Sequence, residues 1–273
     1  MSSAESSAGL VVIHPLDPED ASAILAMRAA VRAAKGVPWT VDARPQYDAL
    51  MGRVQPPDDV TFESGIVGGV PGLWVHPTSA RSNAAILYLH GGWFVAGSAR
   101  AYRHLVGHIA ARAATRAFVP EYRLAPEHPF PAAVEDGLAA YRGMADAGIH
   151  GIAIAGDSAG GNLALVLAAQ VTAKASPAYL PLLGAAAFSP VTDLTLSGAS
   201  YETRADADPL FTRSQVAALV RAYLGTAEPP RSPRIAARGS SCGAAAHAHL
   251  RRRRRGPAGR RAAICRTRGG SGR

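Results

Sequence analysis

The sequence predicts an α/β fold: a mostly parallel sheet with helices on both faces. Three observations predict it. From about residue 84 onward, short apolar runs alternate with longer Ala- and Leu-rich helical stretches. The runs are continuously apolar rather than alternating, as strands covered on both faces are. The segment Gly156-Asp157-Ser158-Ala159-Gly160 stands between one such run and one such helix. With 273 residues, 48% of them apolar, the chain has the material for a sizeable core.

The elements follow in order. Residues 18–35 are Ala-rich, and Ile24, Leu25, Met27 and Val31 suggest a helix; residues 46–53 suggest a second. Thr61 to Val67 and Leu73 to His76 read as strands separated by Gly68-Gly69. Ala84 to Leu89 reads as a buried parallel strand and Tyr102 to Ala114 as a helix. Ala117 to Pro120 is a strand leading into a Pro-rich loop, and Ala132 to Ala145 is helical. Gly151 to Ala155 is a strand, Ala159 to Lys174 a long helix, Leu182 to Phe188 the next strand, and Thr212 to Leu224 a further helix.

Composition divides the chain. Residues 1–229 carry all 20 acidic residues and 16 of the 29 basic ones. Residues 230–273 carry 13 Arg, no Lys and no acid, and both cysteines, Cys242 and Cys265, lie there. The net charge of +9 therefore comes from one end. That end has no Val, Phe, Tyr, Trp or Met to bury, so it is expected to be a disordered Arg-rich tail. The expected organisation is N-terminal cap helices over 1–55, a core over 56–229 and the tail over 230–273. No run is long enough for a membrane span, and the N-terminus has no basic region followed by an apolar stretch, so a cytoplasmic location is expected.

Gly156-Asp157-Ser158-Ala159-Gly160 fits G-x-S-x-G, a sharp strand-to-helix turn with a strained serine at its apex. Gly156 and Gly160 let the flanking segments pass close together. The helix that follows points its free amides at the serine, favouring negative charge there. His90-Gly91-Gly92-Trp93, directly after the strand at 84–89, is the second motif. Acyl transfer builds an oxyanion, and backbone amides aimed at it stabilise the transition state. Gly91 and Gly92 are expected donors, with Ala159 beside the serine. His90 is expected to hold the glycine loop rather than to act as a base.

The stretches YLHGGWFVAGS (88–98), EYRLAPEHPFPAA (121–133), IAGDSAGGNLA (154–164) and SPVTDLTLSGASYETRADADPLFT (189–212) resemble the hormone-sensitive-lipase-like esterases, the GDXG family. The resemblance runs from about residue 15 to 228. It implies an α/β-hydrolase fold with an N-terminal helical cap, and hydrolysis of short- to medium-chain carboxylic esters without metal or cofactor. It implies Ser158 as nucleophile and Gly91, Gly92 and Ala159 as the oxyanion hole.

The family chemistry also needs an acid and a histidine, in that order, after the serine. Here the later acids are Asp193, Glu202, Asp206, Asp208 and Glu228, none in the family's acid motif, and the later histidines are His247 and His249, both in the tail. The last strands of the fold are expected to be missing, and catalysis is expected to be impaired. The tail has the composition of a GC-rich gene read out of frame. Arg-Arg-Arg-Gly written cga-cga-cga-ggt and read one base later spells Asp-Asp-Glu-Val, which resembles the family's acid motif.

Two other functions compete. A noncatalytic α/β-hydrolase-like binding module would keep the pocket without a working triad. A polyanion binder would act through Arg251 to Arg255, but nothing there gives specificity, so no specific nucleic-acid partner is expected. The expected partner is a small-molecule ester. The sequence leaves acyl and alcohol preference and oligomeric state open.

Overall fold

The computed structural model describes residues 17–80, 83–173, 179–227 and 264–265. Helix α1 spans Pro18–Ala33, started by Asp17, whose side chain accepts from the Glu19 amide, and by proline in its first turn. Helix α2 spans Arg44–Met51. Strands β1 (Val60–Val67) and β2 (Val70–Pro77) form an antiparallel hairpin across Gly68 and Gly69. Both glycines have positive φ, which the two-residue turn requires.

The parallel part follows: β3 (Ala84–Leu89), α3 (Ala99–Ala113), β4 (Arg116–Pro120), α4 (Ala132–Gly143), β5 (Gly151–Asp157), α5 (Ser158–Ala173) and β6 (Leu182–Phe188). Helix α3 begins three residues before Tyr102 because Ser98 caps it, its hydroxyl accepting from the Ala101 amide. The short α6 (Ser200–Thr203) escapes a periodicity reading, being a single turn. Helix α7 (Arg213–Leu224) opens on a reciprocal cap between Thr212 and Gln215.

The sheet runs β1-β2-β4-β3-β5-β6, with two further residues, β7 (Ile264–Cys265), beyond β6. Strands β4, β3, β5 and β6 are parallel, and β1 and β2 form an antiparallel edge. The strands that would follow β6 were expected to be missing, which would leave its edge open. That edge is paired antiparallel at Ala185 and Ala186 by Cys265 and Ile264, and among the described residues the sheet ends there. The rest of the expected tail lies outside the described residues.

Central strands alternate between two cores. Ala85, Leu87 and Leu89 of β3 join Phe118, Ile152, Ile154, Leu163 and Leu167 on one face. Ile86 and Tyr88 join Val75, Tyr102, Val106, Ala117 and Val119 on the other. Burial on both faces is why these strands read as unbroken apolar runs. Strand β6 is covered less well, with Leu183 59% and Phe188 37% exposed.

The connection from β3 leads to β4 on one side, and the chain then crosses to β5 on the other. Open α/β sheets bind ligands at the carboxyl ends of the strands where the winding reverses, here between β3 and β5.

Candidate active site

Leu89 pairs with Gly156 at the carboxyl ends of β3 and β5, so the segment after β3 lies beside Ser158. Ser158 has φ 51°, the left-handed region that a non-glycine residue enters only under constraint. Two close approaches supply the constraint. A Cβ on Gly160 would lie 2.5 Å from the Leu89 carbonyl carbon and closer still to the carbonyl oxygens of Leu89 and His90. A Cβ on Gly156 would lie 2.5 Å from the Leu89 oxygen. Both positions must be glycine for the turn to close against β3. The first amides of α5 have no acceptor within the helix, and among the described residues the Ala159 N–H beside Ser158 has no protein acceptor.

Behind the turn, Ser158 O accepts from the Val191 amide at 3.1 Å, and Asn162 donates to Val191 O at 2.6 Å. Among the described residues the Ser158 hydroxyl makes no hydrogen bond, and no histidine follows it. His247 and His249 lie outside the described residues. Asp193, in the loop after β6, is consumed locally. One carboxylate oxygen accepts from the Thr195 amide at 2.8 Å and from its hydroxyl, and the other from the Ser197 amide and hydroxyl at 3.1 and 2.8 Å. Asp208 likewise accepts from the amides of Leu210 and Phe211. Both act as turn formers.

His90 is fully buried and stacks on Tyr122 at 4.2 Å. Its Nδ1 lies 2.8 Å from Gly91 O, so that nitrogen carries the proton and donates. Tyr122 in turn donates to His90 O at 2.7 Å. Burial drives the imidazole pKa down to about 4, leaving it neutral. This geometry ties the start of the loop to the core, and among the described residues the His90 Nε2 is buried without a partner.

Gly91 is a correction to the sequence expectation. Its amide donates to Asp157 Oδ1 at 3.0 Å, so it is not available to an oxyanion. Among the described residues, the amides of Gly92 and Trp93 have no protein acceptor. Gly92 (φ 119°), Trp93 (φ 54°) and Phe94 (φ 63°) all have positive φ, which turns successive amides toward one side. Gly92 and Ala159 therefore keep their free N–H groups, and Trp93 joins them. Trp93 was not legible as a donor, because a backbone amide carries no residue signature.

Asp157 was singled out only as part of the motif. Its carboxylate also accepts from Tyr88 at 3.1 Å and Tyr102 at 3.1 Å, and burial raises its pKa against the pull of these donors. The N-terminal helices reach the same region. Arg44 donates to Val95 O at 2.7 Å and Ala125 O at 2.9 Å, and pairs with Glu127 at 2.6 Å. Lys35, just beyond α1, donates to Ala205 O at 2.7 Å, and Trp39 and Trp93 each pack on Phe211. Among the described residues there is no His, Cys, Asp and Glu cluster able to hold a metal, and no helix is long and apolar enough to cross a membrane.

Residues 86–251, more than half of the chain, match a family model described as alpha/beta hydrolase fold. An acetyl-hydrolase of Streptomyces hygroscopicus is 36% identical over 64% of this chain and 56% of its own length. The acetyl-hydrolase LipR of Mycobacterium tuberculosis, a name given there as putative, is 36% identical over 66% and 57%. The chain thus spans about half the length of these curated relatives. Among solved structures, an esterase from the bacterial hormone-sensitive lipase family is 37% identical with a TM-score of 0.70, covering 81% of this chain and 73% of that one. The structure of EstE5 soaked by ethyl alcohol is 35% identical with a TM-score of 0.70, covering 80% and 73%. The family match takes in the glycine loop and the serine turn, and the chain belongs to the hormone-sensitive-lipase-like family of α/β-hydrolase-fold proteins.

Proposed function

We propose that this chain carries the nucleophile and oxyanion hole of a serine carboxylic-ester hydrolase for short- to medium-chain esters. One observation carries the proposal: Ser158 is held at φ 51° on the turn after β5, beside the free amides of Ala159, Gly92 and Trp93. In this mechanism Ser158 Oγ adds to the ester carbonyl carbon and its proton passes to a base. The carbonyl oxygen becomes an anion facing the three amides. The carbonyl then re-forms as the C–O bond to the alcohol breaks and the alcohol oxygen takes the proton from the base, and water releases the acid from the acyl-enzyme. Oxyanion donors act in the transition state, each worth on the order of 3 kcal/mol. EstE5, a relative 34% identical to this chain, has been crystallised with PMSF, a sulfonyl fluoride. The analogous test here is sulfonylation of Ser158.

Without a base the serine hydroxyl is a weak nucleophile. Asp193 is committed to its own turn, and no histidine after Ser158 lies among the described residues. We further propose that residues 230–273 are an out-of-frame reading and that the chain as written is impaired, retaining the hole and the binding surface, which alone leave a residual acceleration on the order of 10³–10⁴ over water. The same observation supports a second reading, a noncatalytic module that binds an ester without cleaving it. Ester hydrolysis that rises when the reading frame is restored after Glu228, and that Ser158→Ala abolishes, selects the first. Ester binding with no hydrolysis in either form selects the second.

A further inference from the structure

Three side chains on one face of α2 reach the segment that carries the oxyanion amides. Arg44, Tyr47 and Asp48 stand at helical spacing. Arg44 holds Val95 O, and Asp48 accepts from the Ser98 hydroxyl at 2.7 Å. Tyr47 lies with its hydroxyl 2.7 Å from that of Tyr102.

The direction of this last bond follows from its neighbours. Tyr102 has one hydroxyl proton and donates it to Asp157 Oδ2 at 3.1 Å. The Tyr47 contact can then form only with Tyr47 as donor. Asp157 Oδ1 accepts from Tyr88 at 3.1 Å and from the Gly91 amide at 3.0 Å. A single line of donors therefore runs from α2, through α3, to the carboxylate that fixes the first glycine of the loop.

We infer that Tyr47 is a positioning residue: through Tyr102 it holds the Asp157 carboxylate on the Gly91 amide, and so sets the direction of the Gly92 and Trp93 amides. This rests on those two amides being the oxyanion donors. The titratable groups facing Asp157 are Tyr47 from α2, Tyr88 from β3, Tyr102 from α3 and Tyr122 after β4; behind them Asp48 lies near Tyr47, Glu121 near Tyr122, and His90 against Tyr102. None of them is a cation, because His90 is neutral above about pH 4. Burial pushes the Asp157 pKa up, only neutral donors pull against it, and each donor counts. Donation by Tyr47 polarises Tyr102 and strengthens its own donation. Protonating Asp157 weakens its hold on Gly91, and the loop loses its anchor.

The test is amide NMR on the 15N-labelled 273-residue chain across acid pH, following Gly91, Gly92 and Trp93. Tyr47→Phe and Tyr102→Phe are compared with Tyr141→Phe on α4, which removes a hydroxyl that donates to Leu180 O in the segment before β6. The ionised carboxylate should hold the Gly91 proton shifted downfield. Tyr47→Phe should move the pH midpoint of that signal upward and speed Gly91 exchange about fivefold, the loss of one hydrogen bond. Tyr102→Phe should do both more strongly. Adding Tyr47→Phe to Tyr102→Phe should then change neither, because the line is already cut. A Tyr47→Phe spectrum that titrates like Tyr141→Phe overturns the inference, as does a full Tyr47→Phe effect in the Tyr102→Phe background. Failure of the functional proposal looks different: ester hydrolysis would survive Ser158→Ala while the Gly91 titration still responded to Tyr47.

Discussion

Replacing Gly160 by alanine puts the elbow geometry to a quantitative test. The new Cβ would stand 2.5 Å from the Leu89 carbonyl carbon and closer to two carbonyl oxygens. Ordinary carbon contacts need about 3.5 Å, so α5 must retreat by about 1 Å. Strand β3 cannot yield instead, since it is locked between β4 and β5. Overpacking of this kind costs about 3 kcal/mol when the obstacle is backbone. At a slope of about 2 kcal/mol per molar urea, the unfolding midpoint should fall by about 1.5 M. The control is Gly184→Ala on β6, where an added Cβ meets nothing within 4 Å. In the frame-restored chain the same shift displaces Ser158 from the oxyanion amides, and a misplacement of about 1 Å costs about 100-fold in turnover. Midpoints for Gly160→Ala and Gly184→Ala that coincide would refute the close-approach argument.

Three further outcomes are expected. Asp193→Ala removes four hydrogen bonds from the turn at 193–197 and should destabilise the chain by about 1 kcal/mol, the turn being exposed, while leaving kcat of the frame-restored chain within about threefold. A kcat loss of several orders of magnitude would instead mark Asp193 as the catalytic acid. Gly92→Val should lower kcat more than it raises KM, because φ 119° excludes a side chain and the amide acts in the transition state; equal effects on both would count against the loop's role. His90 sets a pH dependence. Its folded pKa, about 4, is below the unfolded 6.5, so between these values the unfolded chain binds the extra proton. Stability should therefore fall as pH drops from 6.5 toward 4, by about 1.4 kcal/mol per unit at most. His90→Gln should flatten that slope in urea titrations, and an unchanged slope would show that His90 is not the group responsible.

The parallel core was legible because burial on both faces leaves a plain signature. Ala84–Leu89 and Leu182–Phe188 begin and end where the apolar runs do. The serine turn was legible because its steric demands leave only glycine at 156 and 160. Gly91 misled for a related reason. A glycine before a strained loop invites the role of donor, but its amide is taken by a carboxylate 66 positions later in the chain. Tyr47, Tyr88 and Tyr102 were invisible as a group, since nothing local links three tyrosines on α2, β3 and α3. Arg44 was equally silent, as its acceptors are the backbone of Val95 and Ala125. Periodicity finds elements and motifs find strained turns; long-range hydrogen bonds to backbone leave no trace in composition.

Steady-state hydrolysis of p-nitrophenyl acetate tests the central claim most directly, in three proteins: the 273-residue chain, the chain with its frame restored after Glu228, and the restored chain carrying Ser158→Ala. The account predicts ordinary enzymatic turnover in the restored chain, with a mass increase of one acetyl group on the peptide bearing Ser158 when the reaction is quenched. It predicts turnover lower by orders of magnitude in the 273-residue chain and none above background in Ser158→Ala. Ordinary turnover by the 273-residue chain would contradict the missing base and point to His247 or His249, and turnover surviving Ser158→Ala would contradict the nucleophile itself.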